Sequence, residues 1–181
     1  MTAAPWRTPL IVALIGATVA ALPASAQRTE TGPFDARSGR FGSAFTVGAD
    51  RVPDTLPVSQ ARAWSMVGQL FADLGIPVSV MDSSSHVLGA LRVTQRRPVA
   101  GERLSRLLEC GTGSFGPNAE RYTVQLTALV SVQALDSAHA TVQTRVGGVA
   151  SPNGLNSSVN CSSTGVLEDR ITAELRKLIG S

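Results

Sequence analysis

The chain has little of several residue types on which many protein functions depend. Its 181 residues include two cysteines, two histidines and one tyrosine, aromatic residues make up 4%, and charged residues make up 16%. These values do not suit collagen, a coiled coil or a long disordered polyelectrolyte. With 43% hydrophobic residues, the composition instead indicates one globular domain with an appendage.

Lysine is almost absent, since Lys177 is the one lysine among 16 basic residues and the formal net charge is only +3. Proteins that bind nucleic acids usually gather Lys and Arg on one face with aromatic residues between them. The nearest candidate group is Arg92, Arg96 and Arg97, which has no aromatic neighbour. The sequence therefore does not predict nucleic-acid binding.

The first 26 residues have the pattern of a secretory signal peptide. Arg7 is followed by an apolar run over residues 10–22, and Ala24-Ser25-Ala26 forms an A-x-A cleavage site. The run is too short to span a bilayer, which takes about 20 residues. Residue 27 is not the cysteine of a lipoprotein. We therefore expect a secreted or periplasmic protein that is neither lipid-anchored nor stably inserted in a membrane, with a flexible leader over residues 27–39 and a single domain over residues 40–181.

Cys110 and Cys161 are the two cysteines of this exported chain. An oxidising compartment favours a disulfide bond between them. A metal pair or a reactive thiol is the alternative, but there is no C-x-x-C motif and few histidines to complete a metal site. The sequence thus predicts one disulfide, and it indicates no metal and no cofactor.

Apolar periodicity predicts the order β, α, β, β, short α, β, β, α. A first strand is predicted within residues 40–47, and Ser59 precedes an amphipathic helix that Gly75 ends. Residues 76–80 and 87–94 are predicted to form a hairpin, and residues 104–110 a short helix that leads to Cys110. Residues 122–134 are predicted to form the first strand of a long hairpin, whose second strand begins with residues 140–146. A final helix is predicted after Ser163 and Thr164, the candidate N-caps.

This order favours an α+β two-layer sandwich, in which an antiparallel sheet carries the long helix and the C-terminal helix on one face. Gly89 lies inside a predicted strand, which indicates a bulge or a close approach of another element. The second face of the sheet is predicted to be mostly polar and wet.

Residues 63–93 resemble the helix-plus-hairpin segment of BamC-like domains, which belong to an accessory lipoprotein of the outer-membrane β-barrel assembly machinery. The matching positions are Ala63, Trp64, Val67, Gly75, Val78, Asp82, Gly89 and Val93. The resemblance implies a helix-grip-like module that binds proteins and catalyses nothing. The chain differs from that family because it lacks the lipidation cysteine and has the extra pair Cys110 and Cys161.

Two stretches match the letters of catalytic or nucleotide-binding motifs. Residues 111–116 fit G-x-G-x-x-G, but a helix precedes them and a strand follows, so we expect a loop and not a dinucleotide site. Residues 82–86 contain Asp, Ser and His, but neighbours in a hairpin turn do not easily form a catalytic triad. A hydrolase that uses His86 or His139 stays an open alternative.

The leading hypothesis is a non-enzymatic domain that binds another cell-envelope protein. Its binding surface is predicted on the polar face of the long hairpin, at Thr123, Gln125, Thr127, Thr141, Gln143 and Arg145. A carrier of a small apolar ligand is the alternative, with a cavity between helix and sheet lined by Trp64, Phe71 and Tyr122. The sequence leaves the identity of the partner and the oligomeric state open.

Overall fold

The computed structural model describes residues 51–153 and 157–180. The predicted signal peptide, the predicted leader and the strand predicted within residues 40–47 lie outside the described residues. The described part of the chain has an α+β fold with an antiparallel sheet, helices on one face and one disulfide, as the sequence predicts.

The elements follow one another in short succession. The described helices are α1 (Gln60–Asp73), α2 (Leu104–Leu107), α3 (Asn118–Arg121) and α4 (Val166–Gly180). The described strands are β1 (Asp54–Leu56), β2 (Val80–Asp82), β3 (Val87–Gln95), β4 (Leu108–Glu109), β5 (Thr112–Gly113), β6 (Gly116–Pro117), β7 (Thr123–Ala134), β8 (Ala140–Ser151) and β9 (Val159–Ser163).

The main sheet has seven strands, in the order β2-β3-β7-β8-β9-β4, and β1 also pairs with β8. Every pairing is antiparallel. β7 and β8 form a hairpin paired from Thr123 with Ser151 to Ala134 with Ala140. On its other side, β8 pairs with β1 near Ala140 and with β9 near Ala150. The predicted long hairpin is confirmed, and its second strand extends from Ala140 to Ser151.

The core lies between this sheet and the two long helices, because α1 packs on β7 and α4 on β8. α1 buries Ala63, Val67, Leu70 and Phe71, which recur at steps of three and four as the sequence predicts. α4 buries Leu167, Ile171 and Leu175 in the same way. Each large apolar side chain removed from water contributes roughly 2 kcal/mol. The two helices also contact each other, which closes the layer.

The ends of the long helices follow different local rules. Ser59 occupies the N-cap position of α1, and Gly75, with φ +64°, follows its last turn. α4 begins later than predicted, at Val166, so neither Ser163 nor Thr164 directly precedes it. Ser163 nevertheless supports the helix start, because its Oγ accepts the Gly165 N–H (3.0 Å) and donates to Glu168 (2.8 Å).

The stretch 111–120 differs from the loop predicted there. It contains the two-stranded hairpin β5–β6 and the single turn α3. The first strand of the earlier hairpin also differs, because only Val80–Asp82 pairs with β3. Isolated short strands of two or three residues have too few side chains to show an alternating pattern, which is why periodicity did not find them.

The disulfide between Cys110 and Cys161 is confirmed. Cys110 follows β4 directly and Cys161 lies within β9, so the bond holds the edge of the sheet where these strands pair. The same edge leads into the β5–β6 hairpin and α3. The bond therefore fixes the position from which both of these small elements start.

Candidate functional site

The predicted binding surface on the long hairpin is only partly exposed. Gln125 is exposed, and Thr123, Thr141, Gln143 and Arg145 are half-buried. Thr127, however, is only 2% exposed, and Leu129 and Ser131 on the same face are also buried. Leu129 packs with Val87 in a small apolar cluster separate from the main core. The middle of this face is therefore not the wet polar surface that the sequence predicts.

Thr127 has a structural role at an irregularity of the sheet. The register of β3 against β7 shifts between Ala90 and Val93, which indicates a β-bulge at Leu91 and Arg92. Arg92 has φ +52° there, and its backbone N–H donates to Thr127 Oγ1 (3.1 Å). Thr127 consequently supports the bulge, and its burial keeps it out of reach of a partner.

The three aromatic residues predicted to line an apolar cavity lie in different surroundings. Phe71 is completely buried in the core. Trp64 is half-buried and its ring meets that of His86 edge-on, with 5.4 Å between the ring centroids. Tyr122 lines a cleft to which neither of the other two contributes. The structure does not bring these three residues together around one described cavity.

The residues of the hydrolase alternative have structural partners. Asp82 Oδ1 accepts hydrogen bonds from the backbone N–H of Ser84 (3.0 Å) and from its hydroxyl (2.6 Å), as in an Asx turn. His139 Nδ1 lies 2.8 Å from Asp136 Oδ2 in the turn between β7 and β8. His86 contacts Trp64, as described above. Each group therefore stabilises its own turn or helix contact.

A cleft of about 260 Å³ opens at the end of the sheet where β3 ends and β7 begins. Its lining comes from several separate segments of the chain and is rich in cationic and polar side chains. These lining residues are Arg96, Arg97, Pro98, Leu104, Ala119, Glu120, Arg121, Tyr122, Thr123 and Asn153. We name this feature the arginine cleft.

Arg96, Arg97 and Arg121 give the arginine cleft its charge. Among the described residues, none of the three lies within ion-pair distance of a carboxylate. Arg96 donates to Asn153 Oδ1 (3.2 Å), and Arg121 stacks over the ring of Phe115 with 5.1 Å to its centroid. By contrast, Arg51, Arg106, Arg170 and Arg176 form ion pairs with described carboxylates elsewhere in the fold. The charges of the cleft are thus left for another anion to neutralise.

Glu120 is the one carboxylate in the described lining, and it is already engaged. Its Oε1 accepts the backbone N–H of Ser105 at 2.8 Å. Hydrogen bonding by Ser105, assisted by the charge of Arg103, holds the pKa of Glu120 below its ordinary value. Glu120 is therefore ionised at neutral pH, and the described lining of the cleft contains three arginines and this one carboxylate.

The walls of the arginine cleft are held by hydrogen bonds and by the disulfide. Asn118, the first residue of α3, donates its side-chain amide to Cys110 O (3.0 Å) and its backbone N–H to Gly111 O (3.0 Å). Thr123 Oγ1 donates to Asn153 Oδ1 (3.1 Å) and so joins the start of β7 to the segment after β8. Leu104 and Ala119 form an apolar base because both are buried. The site is preformed by the fold.

The chemistry of this lining suits the binding of anions. Guanidinium groups present paired N–H donors that match the two oxygens of a carboxylate or the oxygens of a phosphate. Among the described lining residues there is no histidine or cysteine. The arrangement can therefore bind and orient an anionic group.

Most of the arginine cleft was missed by reasoning from the sequence. The sequence groups Arg96 and Arg97 only with Arg92, as a candidate for nucleic-acid binding, and it places Tyr122 in an apolar cavity and Thr123 on the sheet surface. Arg121 and Asn153 are distant in sequence, and only the pairing of β3, β7 and β8 brings them together. One feature of the sequence does indicate unpaired charges at this site, because no acidic residue lies between Asp82 and Glu102, on either side of Arg96 and Arg97.

The chain matches no protein-family model, no curated protein and no solved structure. The BamC-like resemblance of residues 63–93 therefore stays a prediction. Among the described helices, none combines the length and the apolar character needed to cross a membrane. The fold and the site define an α+β domain with a preformed, cationic cleft at one end of its sheet.

Proposed function

We propose that this protein is a non-enzymatic, exported binding domain that holds an acidic segment of another cell-envelope protein in the arginine cleft. The observation that carries the proposal is the group of Arg96, Arg97 and Arg121, which have no carboxylate partner among the described residues. Because the cleft is concave, a bound carboxylate loses part of its water and interacts more strongly than it would on a flat surface.

The expected complex is reversible and sensitive to salt. A charge-assisted hydrogen bond contributes roughly 1.5–3 kcal/mol. Two such contacts contribute at most about 6 kcal/mol, and the cost of ordering the peptide reduces this, so we expect a dissociation constant of roughly millimolar order. Added salt screens the interaction, since the Debye length falls to about 8 Å at physiological ionic strength.

A binding role rather than a catalytic one is supported by how the polar groups of the site are used. Thr123 donates to Asn153, and Glu120 accepts from Ser105. A general base would need a carboxylate or imidazole with a raised or intermediate pKa, whereas the pKa of Glu120 is lowered. These groups hold the walls of the cleft, and the guanidinium groups are left to meet the ligand.

Export to an oxidising compartment is supported by two features. Such compartments are where disulfide bonds form and persist, and Cys110 and Cys161 form one. The signal-peptide pattern of residues 1–26 predicts the same destination. The partner we propose is therefore an envelope or secreted protein that meets this chain outside the cytoplasm.

Calorimetric titration with synthetic peptides tests the proposal. The probe is a ten-residue peptide of alternating Glu and Gly, and its matched control replaces each Glu by Gln. We expect the Glu peptide alone to bind, with an affinity that falls when salt is raised. The variants Arg97→Gln and Arg121→Gln should each weaken binding about tenfold, corresponding to 1.4 kcal/mol. The control Arg62→Gln removes the same charge from an exposed position on α1 and should leave binding unchanged.

Two results would contradict the proposal: no binding of the Glu peptide at millimolar concentration, or equal losses in Arg97→Gln and Arg62→Gln. The protein partner is tested in native cells with a photo-crosslinking amino acid at Pro98, an exposed residue of the cleft lining, or at Ala61, exposed on α1. We expect one envelope protein to be crosslinked from position 98, through an acidic segment, and not from position 61.

A further inference from the structure

Phe115 is an exposed aromatic residue directly beside the arginine cleft. It is 80% exposed, in the turn between β5 and β6. Arg121 joins this ring to the cleft, because its guanidinium stacks over Phe115 and the residue is part of the cleft lining. The cleft thus has an apolar rim next to a cationic interior.

The position of Phe115 is fixed by the hairpin that carries it. Thr112 pairs with Pro117, and Gly113 pairs with Gly116. Gly113 lies against Asn118, so that a Cβ atom there would stand 3.1 Å from Asn118 Oδ1, and Asn118 is held by Cys110. The ring is therefore presented by an anchored turn, which reduces the entropy lost when a partner binds it.

From this juxtaposition we propose that Phe115 is a specificity-determining residue, and that the segment bound in the arginine cleft carries an aromatic or bulky aliphatic side chain two residues from its acidic residue. This inference rests on the proposed function. In an extended peptide, side chains at positions i and i+2 lie on the same side, roughly 7 Å apart. The guanidinium carbon of Arg121 is 5.1 Å from the centroid of the Phe115 ring. Two side chains of one extended peptide at this i, i+2 spacing can therefore reach both groups, the carboxylate at Arg121 and the apolar side chain at Phe115.

A membrane surface is a weaker explanation of the same features. The turn offers a membrane one phenyl ring, and a single apolar anchor gives only marginal binding. Leu135, another exposed apolar residue, follows the far end of β7 and so lies away from the cleft. A concave group of guanidiniums with one flanking ring fits the alternating side chains of a peptide better than a flat lipid surface.

The test compares three ten-residue peptides by calorimetry. The first alternates Glu and Gly except that Gly also stands two residues after its central Glu, the second has Phe at that one position, and the third has that Phe with every Glu replaced by Gln. We expect the second peptide to bind roughly tenfold more tightly than the first, since a buried aromatic contact has about this effect. The third peptide should bind weakly or not at all.

The variant Phe115→Ala should remove the tenfold gain and leave the affinity for the first peptide within about twofold. Phe115→Leu should keep part of the gain, and Leu135→Ala is the matched control that should keep all of it. Circular dichroism checks that each variant folds, which we expect because Phe115 and Leu135 are exposed.

The outcomes separate this inference from the proposed function. If the Glu peptide binds through the arginines but Phe adds nothing that depends on Phe115, the inference is overturned and the proposed function stands. If no acidic peptide binds, both are overturned. If Phe115→Ala instead abolishes binding to vesicles of phosphatidylethanolamine and phosphatidylglycerol, without any effect on the peptides, the surface binds membranes and the inference is wrong.

Discussion

Gly89 of β3 and Ala128 of β7 approach so closely that no side chain fits between them. A Cβ atom at Gly89 would overlap the carbonyl oxygen of Ala128 and would stand 3.0 Å from the Cα atom of Leu129. The obstacle is backbone in the middle of the sheet, which cannot move aside as a flexible side chain can. The predicted close approach at Gly89 is confirmed, and the bulge lies two residues further along β3.

We predict that Gly89→Ala lowers the free energy of unfolding by about 3 kcal/mol or more, because β3 and β7 must separate to admit one methyl group. Gly68→Ala is the matched control. Gly68 is exposed within α1 and a Cβ atom there would have no neighbour within 4 Å, so Ala should raise stability by roughly 0.5–1 kcal/mol through helix propensity. Urea denaturation of both variants measures the difference, and similar midpoints for the two would refute the prediction.

A second prediction concerns Thr144, whose side chain faces the core from β8. It is buried, and its hydroxyl has no hydrogen-bond partner among the described residues. Thr144→Val keeps the shape and removes the unpaired hydroxyl, so we expect a gain of about 1 kcal/mol in the free energy of unfolding.

The control is Thr172→Val on α4, where the hydroxyl donates to Asp54 Oδ2 at 3.1 Å. The same replacement there removes a hydrogen bond to a carboxylate and should cost about 1 kcal/mol. Chemical denaturation of the two variants should therefore give shifts of opposite sign. A loss of stability in Thr144→Val would show that its hydroxyl is satisfied in solution.

The third prediction concerns the disulfide, which joins positions 51 apart in sequence. Replacing both cysteines with alanine should lower the free energy of unfolding by up to about 4 kcal/mol, since the open chain regains conformational entropy when it unfolds. The disulfide also holds residue 110 in place, and the backbone oxygen of this residue accepts from Asn118, so we expect the variant to bind the Glu peptide more weakly. Thermal denaturation with and without a reducing agent provides the check: reductant should lower the melting temperature of the wild-type protein only.

The fourth prediction is a pH dependence that originates at Asp82. Hydrogen bonds from Ser84, and further ones from Ser85, hold the pKa of this carboxyl well below its ordinary value. A lowered pKa in the folded state contributes stability that is fully present above the unfolded pKa of about 4 and is lost as the pH falls through the folded pKa. Asp82→Asn should therefore differ most from the wild type at neutral pH and progressively less in acid.

Carboxyl NMR gives a direct measurement of the same effect. Ser84→Ala removes the hydroxyl that lies 2.6 Å from Asp82 Oδ1, so the pKa of Asp82 should rise toward its ordinary value in this variant. An Asp82 signal that titrates at the ordinary value in the wild-type protein would contradict both expectations.

The long elements could be predicted from the sequence because each carries many periodic residues. α1 and α4 repeat apolar side chains at helical spacing, and β7 alternates over twelve residues. The three-residue β1, which lies between Pro53 and Pro57, offers no such repeat. The G-x-G-x-x-G stretch predicts only a loop. Its glycines and the following proline indicate turns in the backbone, but they do not indicate which short strands or helices lie between those turns.

The candidate site was harder to predict for a different reason. Alternation identified the second face of β7 but not that Leu129 and Thr127 on it are buried, because burial depends on the surroundings of the strand. The arginine cleft requires Arg97, Arg121 and Asn153 to lie close together in the fold, and their positions in the sequence do not indicate this proximity. Only strand order and register bring such residues into one lining.

The central hairpin also bears on the order in which the chain folds. β7 and β8 are neighbours both in sequence and in the sheet, so their pairing closes only the short turn between them at a small entropic cost. β9 follows β8 after a short connection and pairs with it at similarly small sequence separations. β3 and β4, which pair with β7 and β9, come from more distant parts of the chain and are slower to find their places. We expect the hairpin to form early and to serve as the template for the other strands. Since Cys110 directly follows β4, we expect its oxidation with Cys161 to follow the docking of β4, so that a chain in which β4 has not yet docked still carries two reactive thiols.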